Sequence, residues 1–214
     1  MIELVNITKW LGNKLLFKDL SLNLHEGERL CVIGPSGAGK TTLLRMIMGM
    51  EPPSSGQVLF MNRNIYHLKQ SSRAYLRRNI GFIFQDFRLV PDFTVRQNVA
   101  LPLRVRGLPA AQINAAVQDA LTRTDLSEDL WDRLPVALSG GEQQRVAVAR
   151  VIAMQPILAL ADEPFGNLDD AASQLVLKGL MELNERGAAL VIATHDGSLT
   201  KLMDSKQVSL GGGT

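Results

Sequence analysis

Gly34-Pro35-Ser36-Gly37-Ala38-Gly39-Lys40-Thr41 sets a glycine-rich turn, one lysine and one hydroxyl at fixed spacing. That is chemistry for a polyphosphate. Glycines let backbone N–H groups converge on phosphate oxygens, Lys40 neutralises the β and γ oxygens, and the Thr41 hydroxyl is a ligand for Mg²⁺. Thr42, next along, joins the phosphate-binding set. The flanks suit the loop: the apolar run Arg29 to Ile33 reads as a strand before it. Leu43, Leu44, Met46, Ile47 and Met48 read as a buried helix after it, stopping near Gly49 ahead of Pro52 and Pro53.

Three further groups close apolar runs that read as strands, and in open parallel sheets ligands bind at the carboxyl ends of strands. Asp162 and Glu163 end the run Ile157 to Ala161. The pair can divide two tasks, Asp162 holding Mg²⁺ through water and Glu163 orienting or deprotonating an attacking water. Two solvated carboxylates at a strand end would read the same way. His195 follows Val191-Ile192-Ala193-Thr194, where it can hydrogen-bond a γ-phosphate or be structural. Gln85 closes Gly81-Phe82-Ile83-Phe84 and reaches the same edge. Trp10 offers a face for a nucleobase, although a half-buried tryptophan has the same signature.

The run Leu138-Ser139-Gly140-Gly141-Glu142-Gln143-Gln144-Arg145 carries a different signal. Ser139 with Glu142 three residues later is a capping box ahead of the apolar spacing Val146, Ala149, Ile152 and Ala153. Gly140 and Gly141 leave amides at the positive end of that helix uncovered by side chains, open to a phosphate. A plain helix cap fits the same four residues.

The elements that must position these groups are mostly legible. Residues 2 to 33 alternate short apolar segments with turns at Gly12-Asn13 and Glu26-Gly27-Glu28, which predicts strands; residues 56 to 66 and 80 to 85 predict strands again. Pro109 suits a helix start, and Ile113, Val117 and Leu121 form one stripe over Ala110 to Thr124. Ile157 to Ala161 and Ala188 to Thr194 are buried-strand candidates separated by a helix-length segment, as in a parallel sheet with crossover helices. Gly211 to Thr214 reads as a loose tail. A chain of 214 residues, 46% of them hydrophobic, can bury a substantial core. Its net charge of +2, without a long single-sign block, gives no electrostatic case for nucleic acid, so no nucleic-acid partner is expected. The single cysteine, Cys31, lies in an apolar run and is expected as a buried hydrophobe. With no signal pattern and no apolar stretch of about 18 residues, a cytoplasmic chain is expected that meets a membrane only through a partner.

Taken in order, the P-loop, Gln85, Leu138 to Arg145, Asp162-Glu163, Gly166-Asn167-Leu168-Asp169 and His195 resemble the ATP-binding cassette (ABC) ATPases over essentially the whole chain. The resemblance implies an α/β fold: a P-loop core of mostly parallel sheet with an N-terminal antiparallel β subdomain, plus an inserted α-helical subdomain. It implies one nucleotide-binding domain over residues 1–214, with a core lobe at 1–85 and 157–214 and a helical lobe at about 86–156. It implies ATP and Mg²⁺, with Thr41, Gln85 and Asp162 on the metal and Glu163, His195 and Gln85 as catalytic groups. Trp10 is then the adenine-stacking aromatic, Ser139 to Glu142 the signature loop, and Asp169 the D-loop aspartate. Two copies of the chain close on ATP, each nucleotide lying between the P-loop of one and the signature of the other. Within the family, Arg77 to Leu89, Thr94-Val95 and Asn98-Val99-Ala100 look most like the cell-division group typified by FtsE, while Pro91 to Thr94 is closer to the lipoprotein-release group typified by LolD. Leu160 to Pro164 with Gly166 to Asp170 resemble the same cell-division group, and LolD and MacB cassettes share most of those residues. Phe165 departs from the group, which has a small hydroxyl residue after the proline. The partner implied is a membrane permease, FtsX-like if the cell-division likeness holds, felt near Phe87 to Leu89, with the chain peripheral on the cytoplasmic face of a bacterial inner membrane.

Overall fold

The computed structural model describes residues 1–166, 168–197 and 202–211. Asn167 and residues 212–214 of the expected tail lie outside that set.

Strands β1 (Ile2–Leu11) and β2 (Lys14–Leu24) form an antiparallel hairpin across the predicted turn, where Gly12 has φ 58°. Helix α1 (Lys40–Ile47) follows β3 (Arg29–Ile33), as the flanks of the glycine-rich loop require. The strand expected over 56–66 is broken in two: Met61 and Asn62 adopt φ 49° and 60°, making a tight turn between β4 (Ser55–Phe60) and β5 (Arg63–Asn64). The strand expected over 80–85 stops earlier, as β6 (Ile80–Ile83). Helix α2 (Gln70–Arg77), not foreseen, precedes it. The middle section is helical, with α3 (Val95–Val105), α4 (Ala110–Arg123) and α5 (Gly140–Met154). Then come β7 (Leu158–Asp162), α6 (Asp170–Glu185), β8 (Ala189–Thr194) and an unforeseen edge strand, β9 (Lys206–Ser209).

The strands make two sheets, an antiparallel one in the order β2-β1-β4-β5 and a parallel one in the order β6-β7-β8-β3-β9. Parallel strands covered on both faces must be apolar throughout, and their alternate residues divide the core. Cys31, Ile83, Ala159, Ala161, Leu190 and Ile192 face the side holding α3, α4, α5 and α6. Leu30, Val32, Phe82, Leu160 and Val191 face α1 and the antiparallel sheet. Cys31 is fully buried, as its run predicted.

Two local devices bear on the site. A bulge in β1 at Asn6, with φ 49°, shifts the inward frame from Ile2 and Leu4 to Ile7 and Lys9. Lys9 is thereby buried against Glu51 and the Pro52 carbonyl, and Trp10 turns outward, 48% exposed. In the helical section, Asn98 is buried and ties down the chain ahead of α3: its side-chain amide donates to the carbonyls of Val90, Phe93 and Thr94, and its oxygen accepts from Val90 N–H.

Candidate active site

The parallel register sets the site. Ile33 lies opposite Thr194, Asp162 opposite Ala193 and Ile83 opposite Ala161, so β3, β6, β7 and β8 finish at one level. The segments leaving their carboxyl ends therefore meet at one edge: the glycine-rich loop, Glu163, His195 and Gln85. A cleft of about 540 Å³ opens there, lined by Ser36, Gly37, Gly39, Lys40, Thr41, Thr42, Gln85, Asp162, Glu163, Gly166 and His195 with Leu11 and Leu16. Most of the residues singled out in the sequence come together in it.

The loop is shaped by two glycines that cannot be replaced freely. Gly39 caps α1 with φ 98°, a conformation that side-chain-bearing residues rarely adopt. A Cβ on Gly34 would lie 2.6 Å from the Leu210 carbonyl oxygen. Gly34, Pro35 and Ala38 do not line the cleft; the Gly34 and Pro35 carbonyls accept from Lys40 Nζ at 2.6 and 3.2 Å and so hold the lysine.

Lys40 gives its third contact to Glu163 Oε1 at 3.1 Å, and the other carboxylate oxygen lies 3.0 Å from His195 Nδ1. Lys40 and Glu163 are largely buried whereas His195 is mostly exposed. Glu163 has φ 45°, a strained conformation for a side-chain-bearing residue, held by its N–H on the Ala193 carbonyl at 2.8 Å. Such strain aims the carboxylate between lysine and histidine instead of along the strand.

Asp162 is buried, and that burial raises its carboxyl above the usual value while the Thr41 hydrogen bond works against the rise. Its Oδ1 has no hydrogen-bond partner among the described residues. An orphaned buried carboxylate oxygen beside a hydroxyl and the Gln85 amide is a set of hard oxygen donors that fits a magnesium ion sharing its ligands with phosphate.

Other expected residues stand elsewhere. Trp10 is outside the cleft lining because the β1 bulge turns it outward; its neighbour Leu11 and, across the hairpin, Leu16 form the apolar wall. Those two leucines were not singled out, and only their position beside the Gly12-Asn13 turn could have flagged them. The capping box at Ser139 is present in full: its hydroxyl accepts from Glu142 N–H and its own N–H donates to Glu142 Oε2 at 2.7 Å. Ser139 and Gly140 are exposed, a Cβ on Gly140 would meet nothing within 4 Å, and Ser139 to Glu142 take no part in lining the cleft. Asp169 caps α6, its carboxylate accepting from Ala172 N–H at 2.7 Å. A separate, largely apolar cleft of about 430 Å³ lies among Phe82, Phe84, Leu101, Pro102, Val105 and Arg150. No helix among the described residues is long and apolar enough to cross a membrane.

Comparison with known proteins agrees with this geometry. The family model for ABC transporters matches residues 17–166. The chain is 41% identical to the cell division ATP-binding protein FtsE of Escherichia coli over 214 residues, all of this chain and 96% of that protein. It is 39% identical to FtsE of Bacillus subtilis over 98% of this chain and 92% of that one. With the lipoprotein-releasing system ATP-binding protein LolD of Shewanella denitrificans it shares 42% identity over 90% of this chain and 82% of the relative. Among solved structures, a dimeric ATP-binding cassette in a post-hydrolysis state bound to ADP and Pi superimposes with a TM-score of 0.89 at 34% identity, covering 98% of this chain and 94% of that one. A glycine-rich phosphate loop, a strained carboxylate between lysine and histidine and whole-length likeness thus converge: the chain belongs to the ABC transporter family and is an ATP-binding, ATP-hydrolysing subunit.

Proposed function

We propose that the chain hydrolyses ATP between two copies of itself, with a core lobe at 1–85 and 157–214 and a helical lobe at about 86–156, and so drives movement of a membrane partner. The observation that carries the reading is Glu163 held between Lys40 and His195. Lys40 pairs with one oxygen of the Glu163 carboxylate. When phosphate arrives, Lys40 turns to the β and γ oxygens, and Glu163, still aimed by His195, is free to take a proton from the attacking water. Water forms the new bond to the γ-phosphorus, the bond to the bridging oxygen breaks, and ADP leaves with charge stabilised by Lys40 and the loop amides of Ser36 to Thr42. Thr41, Asp162 and Gln85 are the groups that would hold Mg²⁺, which when bound neutralises phosphate charge. Trp10, exposed beside Leu11, is the face for adenine.

The N–H groups of Gly140 and Gly141, at the head of α5 and outside the lining of their own cleft, suit the γ-phosphate of a second copy, with Ser139 and Glu142 fixing the cap and Asp169 at the closing face. The membrane partner docks in the apolar cleft beside Phe84 and Val105. Whole-length likeness to FtsE favours an FtsX-like permease and control of cell-wall hydrolysis at division, with the chain peripheral on the cytoplasmic face of the inner membrane. Likeness to LolD sustains a second reading, lipoprotein release or efflux. The test is to isolate the tagged chain from detergent-solubilised membranes and identify the protein retained. An FtsX-like permease, lost on Val105→Glu while ATP turnover persists, supports the first reading. A lipoprotein-release permease supports the second, and retention of neither defeats both.

A further inference from the structure

Immediately after Gln85 the chain makes an unfavourable turn. Phe87 and Arg88 have φ 57° and 47°, two successive left-handed residues that both carry side chains. Such a turn persists only where its surroundings over-determine it. Part of that restraint is local: Phe87 N–H donates to the Phe84 carbonyl at 3.1 Å, and the Arg88 guanidinium lies 4.5 Å from the Phe84 ring centre while pairing with Asp86. The rest comes from another element. Arg150, on α5, donates Nη1 to the Arg88 carbonyl at 2.7 Å and Nη2 to the Phe87 carbonyl at 2.8 Å. A planar fork can hold two adjacent carbonyls at once, which a lysine ammonium, a single mobile point charge, does less well.

Gln85 is therefore fixed on both sides, by β6 before it and by the Arg150 fork after it. The same helix begins at the Ser139 cap and, through Gln144 Nε2, holds the Pro164 carbonyl at 2.8 Å, one residue beyond Glu163. We propose that Arg150 is a positioning residue for Gln85: its fork locks the left-handed turn at Phe87 and Arg88, setting the reach of the Gln85 amide into the cleft and tying it to the helix that carries Ser139. The proposal rests on the ATPase reading of the cleft. Arg150 touches neither nucleotide nor the reacting atoms, and it acts through Gln85.

The experiment measures kcat and KM for ATP, together with melting temperature, in the full chain and in Arg150→Ala, Arg150→Lys, Gln85→Ala, Glu163→Gln and the Gln85→Ala/Arg150→Ala double variant. Arg150→Ala should lower kcat by at least about tenfold with KM within about twofold, because the phosphate loop is untouched and a group is misplaced. Arg150→Lys should fall between it and the parent. In the Gln85→Ala background the arginine change should cost no more than about twofold further, since residues acting as one unit are not additive. An equal, additive loss in that background overturns the role of Arg150 and leaves the ATPase reading standing. Undiminished turnover in Glu163→Gln overturns that reading and the proposal with it. If Arg150→Ala fails to fold, the lysine variant carries the test by the same cycle.

Discussion

Lys40 has three N–H donors, and all three have protein partners, the carbonyls of Gly34 and Pro35 and Glu163 Oε1. A nucleotide must break the last of these before Lys40 can reach phosphate. Glu163→Gln keeps an oxygen in place but removes its charge. Lys40 keeps its charge, so a charge-assisted hydrogen bond remains and the loss is the coulombic attraction of the carboxylate at 3.1 Å; even at the dielectric of water that makes releasing Lys40 easier by roughly 1–1.5 kcal/mol. At about 1.4 kcal/mol per tenfold, nucleotide should bind about fivefold to tenfold more tightly. ADP is the probe of choice, because without a γ-phosphate it isolates the release of Lys40 from closure of two chains. Calorimetric titration with Mg-ADP should show that gain, while kcat for ATP falls by about 10²–10⁴ through loss of the general base. The melting temperature of the free protein should drop only about 2–4 °C per kcal/mol lost, since two carbonyls still hold Lys40. Unchanged or weaker ADP binding would refute the idea that this ion pair competes with phosphate.

Two other substitutions separate stability from function. Burial raises the Asp162 carboxyl, so its ionised form destabilises the free protein; the penalty is absent below its ordinary value of 3.8 and grows as pH rises through the raised one. Asp162→Asn should therefore raise the melting temperature, more at neutral than at mildly acidic pH, while abolishing Mg²⁺-dependent turnover; thermal melts at both pH values and a Mg²⁺ titration of activity check this. Ser139→Asp keeps a good helix cap, whose loss would cost about 0.5–2 kcal/mol. It should melt near the parent temperature yet lose ATP-driven association, because a carboxylate would face phosphate; association equal to the parent's would reduce Ser139 to a cap.

Where a residue type is forced by local geometry, the sequence was enough. Gly39 must have positive φ, Ser139 and Glu142 complete a box within four residues, and Asp162, Glu163 and His195 end apolar runs that can only be covered parallel strands. The features that escaped depend on partners distant in sequence. Helix α2 buries only Leu76, leaving no stripe to read, and β9 is a polar edge strand recognisable only by its pairing with β3. Trp10 was placed by a bulge four residues earlier in β1, and a shift of one residue exchanges the two faces of a strand. The lysine–glutamate pairing and the Arg150 fork join residues far apart in the chain, through contacts that no spacing rule encodes.

If Ser139 to Glu142 complete the site of a second copy, nucleotide must bring two chains together, and the mass of Glu163→Gln in solution shows it, by light scattering during size exclusion with and without saturating Mg-ATP. The expected result is a monomer without nucleotide and a dimer with it, reverting to monomer when Lys40→Ala is added. A Glu163→Gln chain that binds ATP yet remains monomeric at high protein concentration would contradict it.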